Sequence, residues 1–255
     1  MLKKVLALLM ALLTVAFTLV GCADPETPPT PAEPEDPNSG LETQGPTRVA
    51  GGEFGTAALT WEIYSDGTLY IKGEGDMGEL ERGEGDSIIH PWYEYMSNTS
   101  GTTITRVVVE SGVTSIAAGA FMGCTNLREA EIARTVSVIP EKCFKYCEKL
   151  ERVTARCAIR IEDNAFDSCV KLSTVTFSAS LELVGDGAFL RAGEESKYFS
   201  VRLAGTAEEW EAAKAAMDAD ENDEYAIWTG NEKLLAGLET PSFVAKGSET
   251  VVELD

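Results

Sequence analysis

Apolar and polar positions between Ile104 and Leu203 recur in one order, several times over. The six-residue words Ile104–Val109, Leu127–Ile132, Leu150–Ala155, Leu172–Phe177 and Tyr198–Leu203 are apolar, or small and apolar, at the first, fourth and sixth places. The third place, and mostly the fifth, is polar. In an extended chain, places four and six point to one side and three and five to the other, so each word predicts a strand with one buried and one open face. A second apolar pair follows each of the first four words: Val113 with Ile116, Val136 with Ile139, Ala158 with Ile161, Leu181 with Val184. After each pair comes a Phe, at 121, 144, 166 and 189, separated by 23, 22 and 23 residues. A period in that range predicts a solenoid, in which like residues of successive coils stack. Phe121, Phe144, Phe166 and Phe189 then form a core spine, and Ala120, Ala165 and Ala188 before three of them permit close approach of coils.

The pattern changes at both ends of the repeats. Leu59–Tyr64 and Thr68–Lys72 alternate with period two around Asp66-Gly67, which predicts a β-hairpin. Leu59, Trp61 and Ile63 share one parity, as do Leu69 and Ile71, so one face of the hairpin can cover the first coil's core. The Gly-rich, acidic run 73–85 lacks the Lys-Ser/Thr ending and the helix that phosphate binding requires, and reads as a loop. After the repeats, Ala207–Met217 reads as a helix with Trp210, Ala213 and Met217 on one face. Thr206 and Glu209 form its capping box. The tail adds only a short alternating piece, Thr250–Leu254.

Composition alters this picture at the N-terminus. Lys3 and Lys4 precede an apolar run, Val5–Val20, too short for a stable span and ending in Gly21-Cys22. That is the form of a secretory signal whose cleavage leaves Cys22 first, a residue that bacterial lipoproteins acylate. From Ala23 to Thr47 the chain turns to Pro, Glu, Asp and Thr, a composition that buries too little to fold and reads as an extended tether. The net charge of -21 excludes nucleic acid and anionic lipid as partners by repulsion and otherwise keeps the chain soluble.

The chemistry-bearing residues add little. His90 is the only histidine. Set in His90-Pro91-Trp92-Tyr93, it reads as packing rather than a catalytic base. Cys124, Cys147 and Cys169 share one repeat position. With Cys143 and Cys157 they make five beyond Cys22, an odd number that leaves no closed disulfide framework. A buried thiol ladder is the favoured reading, one or two disulfides the alternative, and no zinc spacing is present. The acidic run 218–224 lacks the Gly and Glu of a calcium loop. No nucleophile with a base and no placed carboxylate pair emerges, so the chain reads as a non-enzyme without cofactor or metal.

The words Val113-Thr114-Ser115-Ile116, Ala120-Phe121-Met122-Gly123-Cys124-Thr125-Asn126-Leu127 and Ile132 resemble the treponemal-type, or BspA-like, leucine-rich repeat of surface lipoproteins. The resemblance reaches outward to Asp66–Leu69 with Pro91–Tyr93, and to Leu203–Trp210 with Gly230-Asn231. Departures are Arg134 where Pro is usual, Cys143 for Ala, and the loss of the fourth Cys near Gly193. The resemblance implies an α+β leucine-rich-repeat solenoid, with a short parallel sheet of about four to five coils, a hairpin cap and a C-terminal unit containing a helix. The expected segments are a signal (1–21), a tether (22–47), an N-terminal cap (48–103), repeats (104–205), a C-terminal cap (206–240) and a tail (241–255).

The open strand face is then the candidate binding site: Arg106, Val108, Glu129, Glu131, Arg152, Thr154, Thr174, Thr176, Ser200 and Arg202. The expected role is recognition of, or adhesion to, an extracellular protein or glycan by a monomer. Its place would be the extracytoplasmic side of a bacterial envelope, with Cys22 as lipid anchor. A non-binding spacer or envelope scaffold is the alternative.

Overall fold

The structure, a computed structural model, describes residues 45–54, 58–84, 87–97, 101–218, 232–239 and 241–244. Cys22 and the tether up to residue 44, the acidic run from 219 onward and the alternating piece Thr250–Leu254 lie outside the described residues.

The chain begins with β1 (Arg48–Phe54), β2 (Ala58–Tyr64) and β3 (Thr68–Asp76). β1 and β2 are antiparallel, as are β2 and β3. The expected hairpin turns at Asp66-Gly67: Gly67 takes φ +83°, where a Cβ would strike the Thr103 carbonyl, and Asp66 Oδ1 accepts the Thr68 N–H at 2.9 Å. β3 continues beyond the expected strand, through Gly73 and Gly75, both at positive φ.

The coils follow: β4 (Arg106–Val109), β5 (Val113–Ser115), β6 (Glu129–Ile132), β7 (Val138–Ile139), β8 (Arg152–Thr154), β9 (Arg160–Ile161), β10 (Thr174–Ser178), β11 (Leu183–Val184) and β12 (Ser200–Ala204). The C-terminal part supplies α1 (Ala207–Asp218), α2 (Glu232–Glu239) and β13 (Ser242–Val244). The main sheet runs β1-β2-β3-β4-β6-β8-β10-β12-β13, and from β3 onward every pairing is parallel. A second sheet, β7-β9-β11, joins the short strands. This is the solenoid that the periodicity predicts, with the short parallel sheet that the resemblance to leucine-rich repeats implies.

Between the two sheets, the Phe segment of each coil makes a third side with its own hydrogen-bond ladder. The N–H groups of Gly119, Phe121 and Gly123 donate to the carbonyls of Glu141, Cys143 and Lys145 at 2.8–2.9 Å. Lys142, Phe144 and Tyr146 do the same to Asp163, Ala165 and Asp167, and Asn164, Phe166 and Ser168 to Asp186, Ala188 and Leu190. Residues two before and two after each Phe are left-handed: Gly119 and Gly123, Lys142 and Tyr146, Asn164 and Ser168, Gly187 and Arg191. That conformation costs a side-chain-bearing residue about 1–2 kcal/mol. Here it turns alternate N–H groups toward the next coil, and the bonds gained offset the cost.

The apolar pairs, the Phe residues and the strand positions four and six form one core. Its axis is a column of rings. Trp92 stacks on Phe121 at 5.8 Å, Phe121 on Phe144 at 5.3 Å, Phe144 on Phe166 at 5.4 Å and Phe166 on Phe189 at 4.9 Å. Edge-on rings end the column, Phe54 against Trp92 and Phe199 against Phe189. Beyond β12, the capping box is present, with Thr206 N–H on Glu209 and Glu209 N–H on the Thr206 hydroxyl. Trp210 and Leu234 enter the core from α1 and α2, and Gly237 packs so tightly on Val201 that a Cβ would lie 2.4 Å from its methyl.

Phe144 has a ring on either side, and Phe144→Ala is expected to lower the unfolding free energy by about 3–5 kcal/mol in urea titration. Gly123→Ala isolates the backbone conformation, because its Cβ would meet only Met96 at 3.7 Å. A loss of about 1–2 kcal/mol is expected there.

Candidate binding face

Strand alternation and register build the outer face of the main sheet. Register places Thr68, Arg106, Glu129, Arg152, Thr174 and Ser200 in one row. Tyr70, Val108, Glu131, Thr154, Thr176, Arg202 and Ser242 form the next. Their neighbours Val107, Ala130, Val153, Val175 and Val201 point inward and are buried. Of the ten expected face residues, Arg106, Glu131, Arg152 and Ser200 are exposed, and Val108, Glu129, Thr154, Thr174 and Arg202 are half-buried. Thr176 differs, being only 5% exposed: a short side chain between the register neighbours Thr154 and Arg202.

The charges on the centre of this face are largely satisfied from within. Arg106 donates to Glu131 at 2.9 Å, crossing diagonally between rows, and Arg152 donates to Glu129, its direct register partner, at 2.6 Å. Beside them Arg128 donates to Glu151 at 2.9 Å. All six side chains are about half exposed, so each pair contributes about 0–1 kcal/mol. Their consequence is for recognition: a compensated pair presents little net field.

The two ends of the face have different chemistry. At the N-terminal end the cap carries Tyr64 and Tyr70, edge to face at 5.4 Å, with the Lys72 ammonium 4.8 Å from the Tyr70 ring. Lys72 also bonds Glu62 at 3.1 Å and lies 3.6 Å from Glu110. The hydrogen bond to Glu62 holds the Lys72 pKa above the usual lysine value, and the same bond lowers that of Glu62. Sequence reasoning missed this end because it followed only the buried parity of the hairpin; the opposite parity, Glu62, Tyr64, Tyr70 and Lys72, carries the signal. The C-terminal end is a field of hydroxyls, Thr174, Ser200 and Ser242, around Arg202.

The remaining chemistry-bearing residues are interior. Burial lowers the His90 pKa, so the ring is neutral, and its Nε2–H donates to the Gly119 carbonyl at 3.0 Å. Phe121, Phe144, Phe166 and Phe189 are at most 2% exposed. Cys124, Cys143, Cys147 and Cys169 are free and fully buried. The Cys147 thiol donates to the Phe121 carbonyl and the Cys169 thiol to that of Phe144, both at 3.1 Å, so the thiols tie each coil to the one before. Ala192 takes the fourth place, buried. Burial pushes the Cys124 pKa up to about 12 and raises the other three. Lys145 and Asp167, 2.7 Å apart and mostly buried, link two coils on the Phe side. Among the described residues no group of three or more His, Cys, Asp or Glu is placed to hold a metal. No described helix is long and apolar enough to cross a membrane.

The model of the BspA type leucine rich repeat region matches residues 97–201, in six copies. Among solved structures, a leucine-rich repeat protein from Eubacterium ventriosum is 18% identical over 63% of this chain and 45% of its own, with a TM-score of 0.44. A leucine rich cell surface protein from Faecalibacterium prausnitzii is 20% identical over 60% of this chain and 42% of its own, with a TM-score of 0.33. The leucine-rich repeat protein of T. pallidum is 22% identical over 56% of this chain and 67% of its own, with a TM-score of 0.35. The chain spans less than half the length of the first two. None of the curated proteins matches it.

The buried ladder makes a test at pH 8. Thiols with raised pKa stay protonated there, and only thiolates alkylate readily. Iodoacetamide should leave Cys124, Cys143, Cys147 and Cys169 unmodified in the native protein and label them in denaturant, read by peptide mass spectrometry. Rapid native labelling of Cys147 would contradict a closed core.

Proposed function

Residues 97–201 belong to the BspA-type leucine-rich repeats, and from that premise we propose that the chain is a recognition module held at a bacterial cell surface. Cys22 is its lipid anchor, the acidic, proline-rich segment 22–47 its tether, and the outer face of the main sheet its contact surface for an extracellular protein or glycan. It acts as a monomer, outside the cytoplasm, without catalysis or cofactor.

The observation that carries the reading is the contrast between the two sides of each strand. Inward positions stay apolar from coil to coil, with Val or Ala at every fourth place. Outward ones change, from Arg106 through Glu129, Arg152 and Thr174 to Ser200, on strands held in strict register. Packing constrains the first set, and a flat array of varied polar groups on a rigid support suits recognition. The spacer alternative draws on the ion pairs: Arg106–Glu131 and Arg152–Glu129 are satisfied without any partner.

Immobilised protein incubated with surface extracts of neighbouring or host cells distinguishes the two. A recognition module retains a component saturably and loses it when Arg106, Arg152 and Arg202 are replaced together by Gln; a spacer retains nothing saturably. For the anchor, Cys22→Ser should move the protein from the membrane to the soluble fraction on cell lysis. Continued membrane retention would refute the role of Cys22.

A further inference from the structure

The outer face separates its cations by what they already touch. Arg106, Arg128 and Arg152 each hold a carboxylate, and Lys72 holds two. Arg202, in the middle of β12, has no carboxylate partner among the described residues. Its row neighbours are Thr176 and Ser242, and the adjacent row brings Thr174 opposite Ser200. β6, which carries Glu129 and Glu131, lies three strand spacings from β12, about 14 Å. That exceeds the Debye length of about 8 Å at physiological salt, so those glutamates do not cancel the charge at Arg202.

We propose that Arg202, among the hydroxyls of Thr174, Ser200 and Ser242, is the anchor of the outer face and takes a carboxylate side chain of a protein partner. The proposal rests on the recognition reading above and names the chemistry of its partner. A guanidinium offers a planar fork of donors to a carboxylate, and the neighbouring hydroxyls can serve its remaining lone pairs.

The rest of the face decides the source of that carboxylate. A polyuronate chain would bring a dense run of negative charge to a protein whose net charge is -21, so its further carboxylates would add repulsion. A neutral glycan needs an open aromatic platform, but the Tyr64 and Tyr70 rings pack on each other and lie under Lys72. A protein surface of mixed charge meets neither obstacle, because the compensated Arg–Glu pairs of the centre repel neither sign.

The test uses the full chain with 15N-labelled arginine, followed at the side-chain Nε resonances by NMR. The probes are acetyl-Thr-Glu-Thr-Glu-Thr-amide, its Gln counterpart and a trimer of galacturonate. The Glu peptide should shift the Arg202 resonance saturably in the millimolar range. The Gln peptide should bind at least about tenfold more weakly, as expected for loss of a charge-assisted hydrogen bond. Arg202→Gln should abolish binding, detected by the peptide's own resonances, and Arg160→Gln on β9 should leave it unchanged.

Equal binding of the two peptides, or no shift at Arg202, would overturn the anchor. Shifts confined to Arg106 or Arg152 would overturn it too, while leaving the outer face as the recognition surface. Stronger binding of the galacturonate trimer than of the Glu peptide would overturn the assignment to a protein. If Arg202 responds as expected but surface extracts yield no saturable capture, the recognition reading fails and the carboxylate site stands.

Discussion

Every coil must meet the next in register, and the stacked aromatic column is where that demand is most severe. Phe121, Phe144, Phe166 and Phe189 lie 4.9–5.4 Å apart along neighbouring coils, close to the spacing of hydrogen-bonded strands. A ring at that spacing fills its layer, so a residue slipped by one place would leave a void in one coil and a clash in the next. The strand register, the short second sheet and the thiol-to-carbonyl bonds all agree with this one alignment. Trp92 at one end and Phe199 at the other close the column with rings supplied from outside the four Phe-centred repeats.

The same demand explains why the outer face is free to vary. Places four and six of each strand word are filled by the core, whereas places three and five need only be compatible with a neighbour 4.8 Å away. Opposite charges on adjacent coils meet that requirement, as Arg106 with Glu131 and Arg152 with Glu129 show. The result is a rigid surface whose chemistry changes along its length, from ringed and ion-paired at the cap, through compensated pairs, to hydroxyls around Arg202.

The interior was the legible part of the sequence, because it repeats. Spacing of Phe places the column, alternation places the strands of the repeats to within two residues, and Thr206 with Glu209 marks the start of α1. What remained illegible has physical causes. β1 contains Gly51-Gly52 and has no strong alternation; β13 is three residues long; α2 is eight. The left-handed places flanking each Phe are hidden wherever Lys142, Tyr146, Ser168 and Arg191 stand in for Gly, since the inter-coil bonds that stabilise them join residues about 22 apart. Diagonal pairs such as Arg106–Glu131 and the Lys145–Asp167 link also depend on register, and appear only when coils are laid side by side. The burial of Thr176 depends on its neighbour's length, which no single strand reveals.

The claim that neighbouring coils are bound through the ring column is best tested by double-mutant cycles in urea unfolding. Phe144 and Phe166, 5.4 Å apart and nearly parallel, should show a coupling energy of about 0.5–1.5 kcal/mol when both are changed to Leu. Phe121 and Phe189, separated by two intervening rings, should be additive within about 0.5 kcal/mol. Equal coupling in the two cycles, or none in either, would contradict a column built from nearest-neighbour contacts.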